Sequence, residues 1–193
     1  MLVFVIDTAG EKDLWRRFVL VDDTAPVMST ETARLVEATT TSLEFTVPSA
    51  TDTAGSPWYQ LVVGGTWQQG RTFVEEGLEP NTTYTYRVRT KDNTPTPATS
   101  PWSGAFELTT LAAVPERGVF DMPTPTGMTL VSLEADTNPA GTQYAVLCST
   151  NGLYVGTDGM LSNTAVWQVS GDWAGTVIEG LAPDTVYEFQ LLA

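Results

Sequence analysis

Gly77-Leu78-Glu79-Pro80-Asn81-Thr82-Thr83-Tyr84 recurs as Gly180-Leu181-Ala182-Pro183-Asp184-Thr185-Val186-Tyr187, a shared G-L-x-P-x-T-x-Y pattern. Each residue type has a physical role at a corner between two strands. Leu plugs the core where one strand ends. Pro presets φ for the turn and donates no ladder hydrogen bond. Tyr opens the next strand, and its buried ring needs a partner for the hydroxyl, usually backbone across the corner. Tyr84 and Tyr187 lie 103 residues apart, about the length of one sandwich domain. Two copies at domain spacing make the octapeptide an internal repeat.

Outward from the corners, the chain reads as short strands. Ser42 to Val47 alternates, with Leu43, Phe45 and Val47 on one face. Tyr84 to Arg89 alternates again, with Tyr84, Tyr86 and Val88 inward and Arg87 and Arg89 in water. Phe106-Glu107-Leu108-Thr109 and Tyr187-Glu188-Phe189-Gln190-Leu191 repeat the pattern. Period-two alternation puts every second residue on one face of a strand. With 16 Gly and 12 Pro interrupting it, the chain has no room for long helices. Short alternating strands bounded by Gly, Pro, Asn and Asp predict an all-β fold of antiparallel sandwiches.

Composition removes whole classes of function. The 193 residues carry 9 Lys+Arg against 23 Asp+Glu, a formal charge of −14, which repels phosphate backbones and argues against nucleic acid as a partner. There is no histidine, so Ser-His-Asp and Cys-His nucleophiles, His general bases and His metal ligands are excluded. One cysteine, Cys148, forms no internal disulfide. No apolar run approaches the roughly 18 residues of a membrane span, so membrane insertion is not expected. Leu2 to Ile6 lacks the basic start and length of a signal peptide.

The corner motif resembles the fibronectin type III family, which carries L-x-P-x-T-x-Y between its strands E and F. The same family often shows a Ser-Pro-rich entry to strand G and a Thr-Thr exit. Ser100-Pro101-Trp102-Ser103 and Thr109-Thr110-Leu111 stand at those places. The resemblance implies immunoglobulin-like sandwiches in series, over 24–111 and 122–193, joined by a linker at 112–121. In the second, Met128–Glu134 is read as strand B, Gln143–Cys148 as C, Val166–Val169 as C′, Thr176–Ile178 as E and Tyr187–Leu192 as F. The family's strand-B tryptophan is missing. Phe45 stands in its place in the first domain and Leu130 or Leu133 in the second, with core volume from Trp58, Trp102, Trp167 or Trp173. Residues 1–23 are read as a β-hairpin, strands F and G of an incomplete or complemented neighbouring domain, with Leu2–Ile6 and Leu14–Val21 as its strands.

The two ends differ from the middle. From Tyr84 to Leu111 there is room for strand F, a loop and strand G, whereas six residues follow Tyr187. The second domain is therefore expected to lack strand G and to leave strand F an open edge. One explanation is a fragment of a longer multidomain protein. The other is head-to-tail complementation between copies, which does not close on itself and gives a filament.

Candidate sites are few, and each has a structural alternative. Asp22-Asp23, and Asp7 with Glu11 and Asp13, are the places for calcium, the one cofactor considered, or else are solvated acidic loops. Glu75 and Glu76 are neighbours and face opposite sides of a strand, while Glu134 and Asp136 share a face; neither pair has a predicted cleft. Trp58, Tyr59 and Trp67-Gln68-Gln69 form either a sugar-stacking platform or core. Cys148 is read as a buried thiol, and Asn81-Thr82-Thr83 as turn chemistry or a glycosylation acceptor. No catalytic, cofactor-binding or metal residue is assigned. The resemblance implies a non-catalytic structural or adhesion module of a secreted or cell-surface bacterial protein. Its partners would be its own copies or neighbouring domains. An accessory carbohydrate-binding or spacer module of an extracellular enzyme is the alternative.

Overall fold

A computed structural model describes residues 22–62, 65–134 and 137–193. The hairpin expected at the N-terminus, with Asp7, Glu11 and Asp13, lies outside the described residues up to 21, as does Asp136. Two compact units are present, one of 22–37, 43–74 and 84–108, the other of 38–42, 75–83 and 109–193.

The first sandwich has nine short strands: β1 (Val27–Met28), β2 (Arg34–Ala38), β3 (Ser42–Thr46), β4 (Ala50–Thr51), β5 (Trp58–Leu61), β6 (Thr72–Glu76), β7 (Thr83–Tyr86), β8 (Val88–Lys91) and β9 (Phe106–Thr109). They pair as β2-β3-β6, β1-β4, β5-β8 and β7-β9. The alternation seen in the sequence sets the core. Leu43, Phe45, Val47, Tyr86 and Val88 are all buried. Phe45 lies at the centre of an aromatic cluster, with ring centroids 4.9 Å from Tyr86, 5.7 Å from Phe106 and 6.2 Å from Phe73. Fully burying a side chain of this size contributes about 1.5–3 kcal/mol.

The second sandwich has β10 (Gly118–Thr124), β11 (Gly127–Leu133), β12 (Gln143–Cys148), β13 (Leu153–Val155), β14 (Leu161–Ser162), β15 (Gln168–Val169), a single helical turn α1 (Ser170–Trp173), β16 (Thr176–Glu179) and β17 (Phe189–Leu192). One sheet is β10-β11-β16; in the other, β12 pairs with β13, β15 and β17. Leu147 of β12 pairs with Tyr154 and with Gln190, so β13 and β17 flank it on opposite edges. Leu130, Leu133, Tyr144, Val146, Val155, Trp173, Ile178 and Leu181 form the core.

Three expectations need correction. Gly118–Thr124 is a strand that begins inside the stretch read as linker. Its register shifts at Val119/Phe120 and Asp121/Thr124 break the period-two signal. The hairpin partner of β12 is Leu153–Val155, not Val166–Val169; of the latter only Gln168–Val169 is a strand, against Gln143–Tyr144. Of the tryptophans considered for the core, Trp173 alone is fully buried, while Trp167 is 45% exposed and Trp58 and Trp102 are half-buried. Trp173 reaches the core from α1, with its indole N–H donating to the Tyr144 carbonyl at 2.9 Å.

Candidate functional site

The corners show how the repeat works. Gly77 and Gly180 have φ of 71° and 76°, and Asn81 and Asp184 have φ of 43° and 57°. This is the left-handed region that Gly, Asn and Asp tolerate best. Thr82 and Thr185 each donate a hydroxyl hydrogen bond to the proline carbonyl two residues back, at 2.8 and 3.0 Å. The Leu78 and Leu181 amides donate to the Thr41 and Thr126 carbonyls, both at 3.0 Å. Tyr187 accepts the Ala182 amide on its hydroxyl at 2.8 Å. Asn81 is exposed, and its side-chain amide donates to the Thr142 hydroxyl at 2.8 Å.

The strands beyond the two corners have unlike neighbours. In the first sandwich β9 covers β7, the Thr110 amide donates to Thr82 at 3.1 Å and its hydroxyl to Glu79 at 2.7 Å. Tyr86 is 6% exposed and its ring lies 5.8 Å from Phe106 of β9. Among the described residues, β17 pairs with β12 alone. Tyr187, Phe189 and Leu191 are half-buried there, and Val186 is 84% exposed.

On β5 and β8, inward pairs are Tyr59↔Thr90 and Leu61↔Val88, all buried. Tyr59 is thus core; its hydroxyl accepts the Ala50 amide at 2.9 Å. The outward pairs are Trp58↔Lys91 and Gln60↔Arg89. Gln68 bridges to Tyr59 through two backbone hydrogen bonds of 2.7 and 3.0 Å, which brings Trp67 alongside. Segment 100–103 runs along β8, with Ser100 and Ser103 amides donating to Thr90 and Val88 carbonyls. Pro101 has no N–H to give, and the Ser100 and Ser103 hydroxyls accept the Thr90 and Val88 amides at 2.9 and 3.0 Å. Trp102 is thereby set beside Arg89.

The result is an alternation of indoles and cations. Arg89 Cζ lies 4.5 Å from the Trp102 ring centre and 5.5 Å from Trp67; Lys91 Nζ lies 4.8 Å from Trp67 and 5.8 Å from Trp58. These distances are within cation–π range. Arg89 is half-buried rather than simply solvated, and its Nε donates to Gln60 Oε1 at 2.8 Å. Trp58 Nε1 donates to Asn93 at 3.2 Å. Gln69 is exposed. The cationic half of this face is visible in the sequence as Arg87, Arg89 and Lys91 at alternate positions.

The acidic candidates do not converge. Asp22 accepts the Thr24 hydroxyl, the Thr24 amide at 3.0 Å and the Thr53 hydroxyl at 2.8 Å. These hydrogen bonds, the Thr24 hydroxyl first, lower its pKa to about 2. Asp23 is exposed. Among the described residues no group of three or more Asp, Glu, His or Cys is placed to hold a metal ion. Glu75 is half-buried and Glu76 exposed on β6, while Glu134 pairs with Arg117 at 2.7 Å. An open groove of about 1020 Å³ has Glu31 as its one lining carboxylate, paired with Arg71 at 3.4 Å. The Ser49 amide and hydroxyl hold Glu31 below its ordinary pKa, so it is a poor proton donor. In loop 92–98, burial pushes Asp92 up, but hydrogen bonds from Thr94 and the Ala98 amide outweigh it and keep the carboxylate ionised. Cys148 is fully buried. Among the described residues no helix is long and apolar enough to cross a membrane.

The fold is all-β, built of several antiparallel sheets. Among solved structures the chain is similar to a two-domain fibronectin type III segment of chicken tenascin, at 14% identity over 87% of this chain and 90% of that one, with a TM-score of 0.43. It is similar to the central fibronectin-III array of RIM-binding protein, at 16% identity over 86% and 61%, TM-score 0.32. It is also similar to chitinase ChiA74 from Bacillus thuringiensis, at 16% identity over 90% and 28%, TM-score 0.40. The chain thus spans less than two thirds of the last two. No family model and no curated protein matches it.

Proposed function

We propose that this chain is a non-catalytic structural module of a secreted or cell-surface bacterial protein, and that its last sheet takes one more strand from the next copy, head to tail. The observation that carries this reading is the flank of β17. Its inward side chains are half-buried, where the matching Tyr86 and Val88 of the first sandwich are buried. An open strand flank offers a ladder of N–H and C=O groups to an incoming strand. Leu2–Ile6 of a second copy has the sequence of a donor, being an unbroken apolar run. Light scattering after size exclusion tests the assembly. The expected result is a mass that grows with concentration above 20.8 kDa and falls to the monomer when residues 1–6 are deleted. A strict monomer at micromolar concentration overturns it.

A second reading, an accessory carbohydrate-binding module, is favoured by one observation. Three half-buried indoles line the outer face of β5 and β8, where they add nothing to the core.

A further inference from the structure

We propose that the outer face of β5 and β8 binds a short oligosaccharide bearing carboxylates, of the uronic-acid class; this rests on the carbohydrate-binding reading. The argument begins with charge. Among the described residues the ion pairs are Arg71–Glu31 and Arg117–Glu134. Arg87, Arg89 and Lys91 therefore have no carboxylate partner there, although the chain carries 23 acidic residues against 9 basic. Arg89 and Lys91 stand at alternate positions of β8, about 6.8 Å apart, and Arg87 directly precedes that strand. Arg87 is exposed, and Arg89 and Lys91 are half-buried among indoles. A cation that an acidic protein leaves without a carboxylate is open to an outside anion.

The indoles narrow the class. Trp58, Trp67 and Trp102 are all half-buried on this face. Each ring already has Arg89 or Lys91 against it; the part of each indole still open to water suits the C–H face of a pyranose ring, and a carboxylate on that ring would reach the neighbouring guanidinium or ammonium. A short acidic peptide would meet the cations and leave the water-exposed part of the rings uncovered. Duplex nucleic acid carries one charge per about 1.7 Å of axis, far denser than this stripe, and would meet the repulsion of the whole acidic body. A short uronate carries one charge per ring, and at physiological salt the distant acidic charges are screened beyond about 8 Å.

Titration of the full chain with trigalacturonate, followed by tryptophan emission and calorimetry, tests the proposal. Maltotriose and pentaglutamate are the comparison ligands. Trigalacturonate is expected to bind. Its affinity should fall about tenfold in Arg87→Gln and in Lys91→Gln, each removing one charge-assisted contact. Arg71→Gln, in a separate groove with Glu31, is expected to bind as the native chain does. Arg87 stacks on no ring, so its variant keeps the test valid where Lys91→Gln fails to fold. Equal binding of maltotriose would overturn the acidic assignment and leave the broader carbohydrate reading standing. Equal binding of pentaglutamate would overturn the saccharide assignment. Failure of both sugars to bind would overturn the inference and the reading beneath it.

Discussion

The two G-L-x-P-x-T-x-Y corners are alike in dihedral angles and in hydrogen bonds, yet the strands they launch have different surroundings. After Tyr84, strand β7 is paired with β9, and Phe106 of β9 adds its ring to those of Phe45 and Tyr86. After Tyr187, Phe189 stacks on Phe120 of β10 at 5.0 Å, and its other flank has no pairing strand among the described residues. A corner is a local device that eight residues specify. The burial of the strand beyond it depends on a partner many residues away. The same octapeptide can thus launch strands with unlike flanking partners.

Truncation at matched positions tests this contrast with the largest effect. Tyr86→Ala is expected to cost about 4 kcal/mol, as for a buried aromatic, and Phe189→Ala about 2 kcal/mol, because its ring is already half in water. Denaturant unfolding measures both, and equal losses would break the comparison. Acid gives a smaller effect. Asp22, Glu31 and Asp92, all on the first sandwich side, have lowered pKa values when folded. Their contribution is present above the unfolded values near 4 and is lost as pH falls through 4 towards 2. The urea midpoint of the first sandwich should therefore drop between pH 6 and pH 2.5; a midpoint that holds or rises contradicts the assignment. The smallest effect is kinetic. Cys148 pairs with Phe189 and is fully buried, so thiol labelling of the native chain reports local opening of the β17 flank. Phe189→Ala should speed labelling and Tyr86→Ala should not. Equal rates would mean that the two flanks open alike.

The parts legible in the sequence are those governed by period two and by turn chemistry. Leu43, Phe45 and Val47 alternate without interruption and are buried as the pattern requires. The corners are legible because Gly, Pro, Asn and Asp leave few backbone options. The tryptophans are not. An indole has the same volume in a core or on an outer face, and which one it joins depends on the cross-strand partner. Trp58 faces Lys91 and goes outward; Tyr59 beside it faces Thr90 and goes inward. Arg89 reads as solvated because nothing local announces that Trp67 and Trp102 will flank it. The β12–β13 hairpin does carry a signal, Asn151-Gly152, with the Gly152 amide donating to the Cys148 carbonyl at 2.9 Å. Strand β10 hides behind its bulges.

The placement of Trp173 has an optical consequence. Its indole is sealed from water and bonded to the Tyr144 carbonyl, while Trp58, Trp67, Trp102 and Trp167 all touch solvent. A shielded indole emits at shorter wavelength than a wet one. Among the described indoles the blue edge of the emission spectrum therefore belongs to the neighbourhood of α1, and its loss during a titration dates the moment at which that single turn lets go.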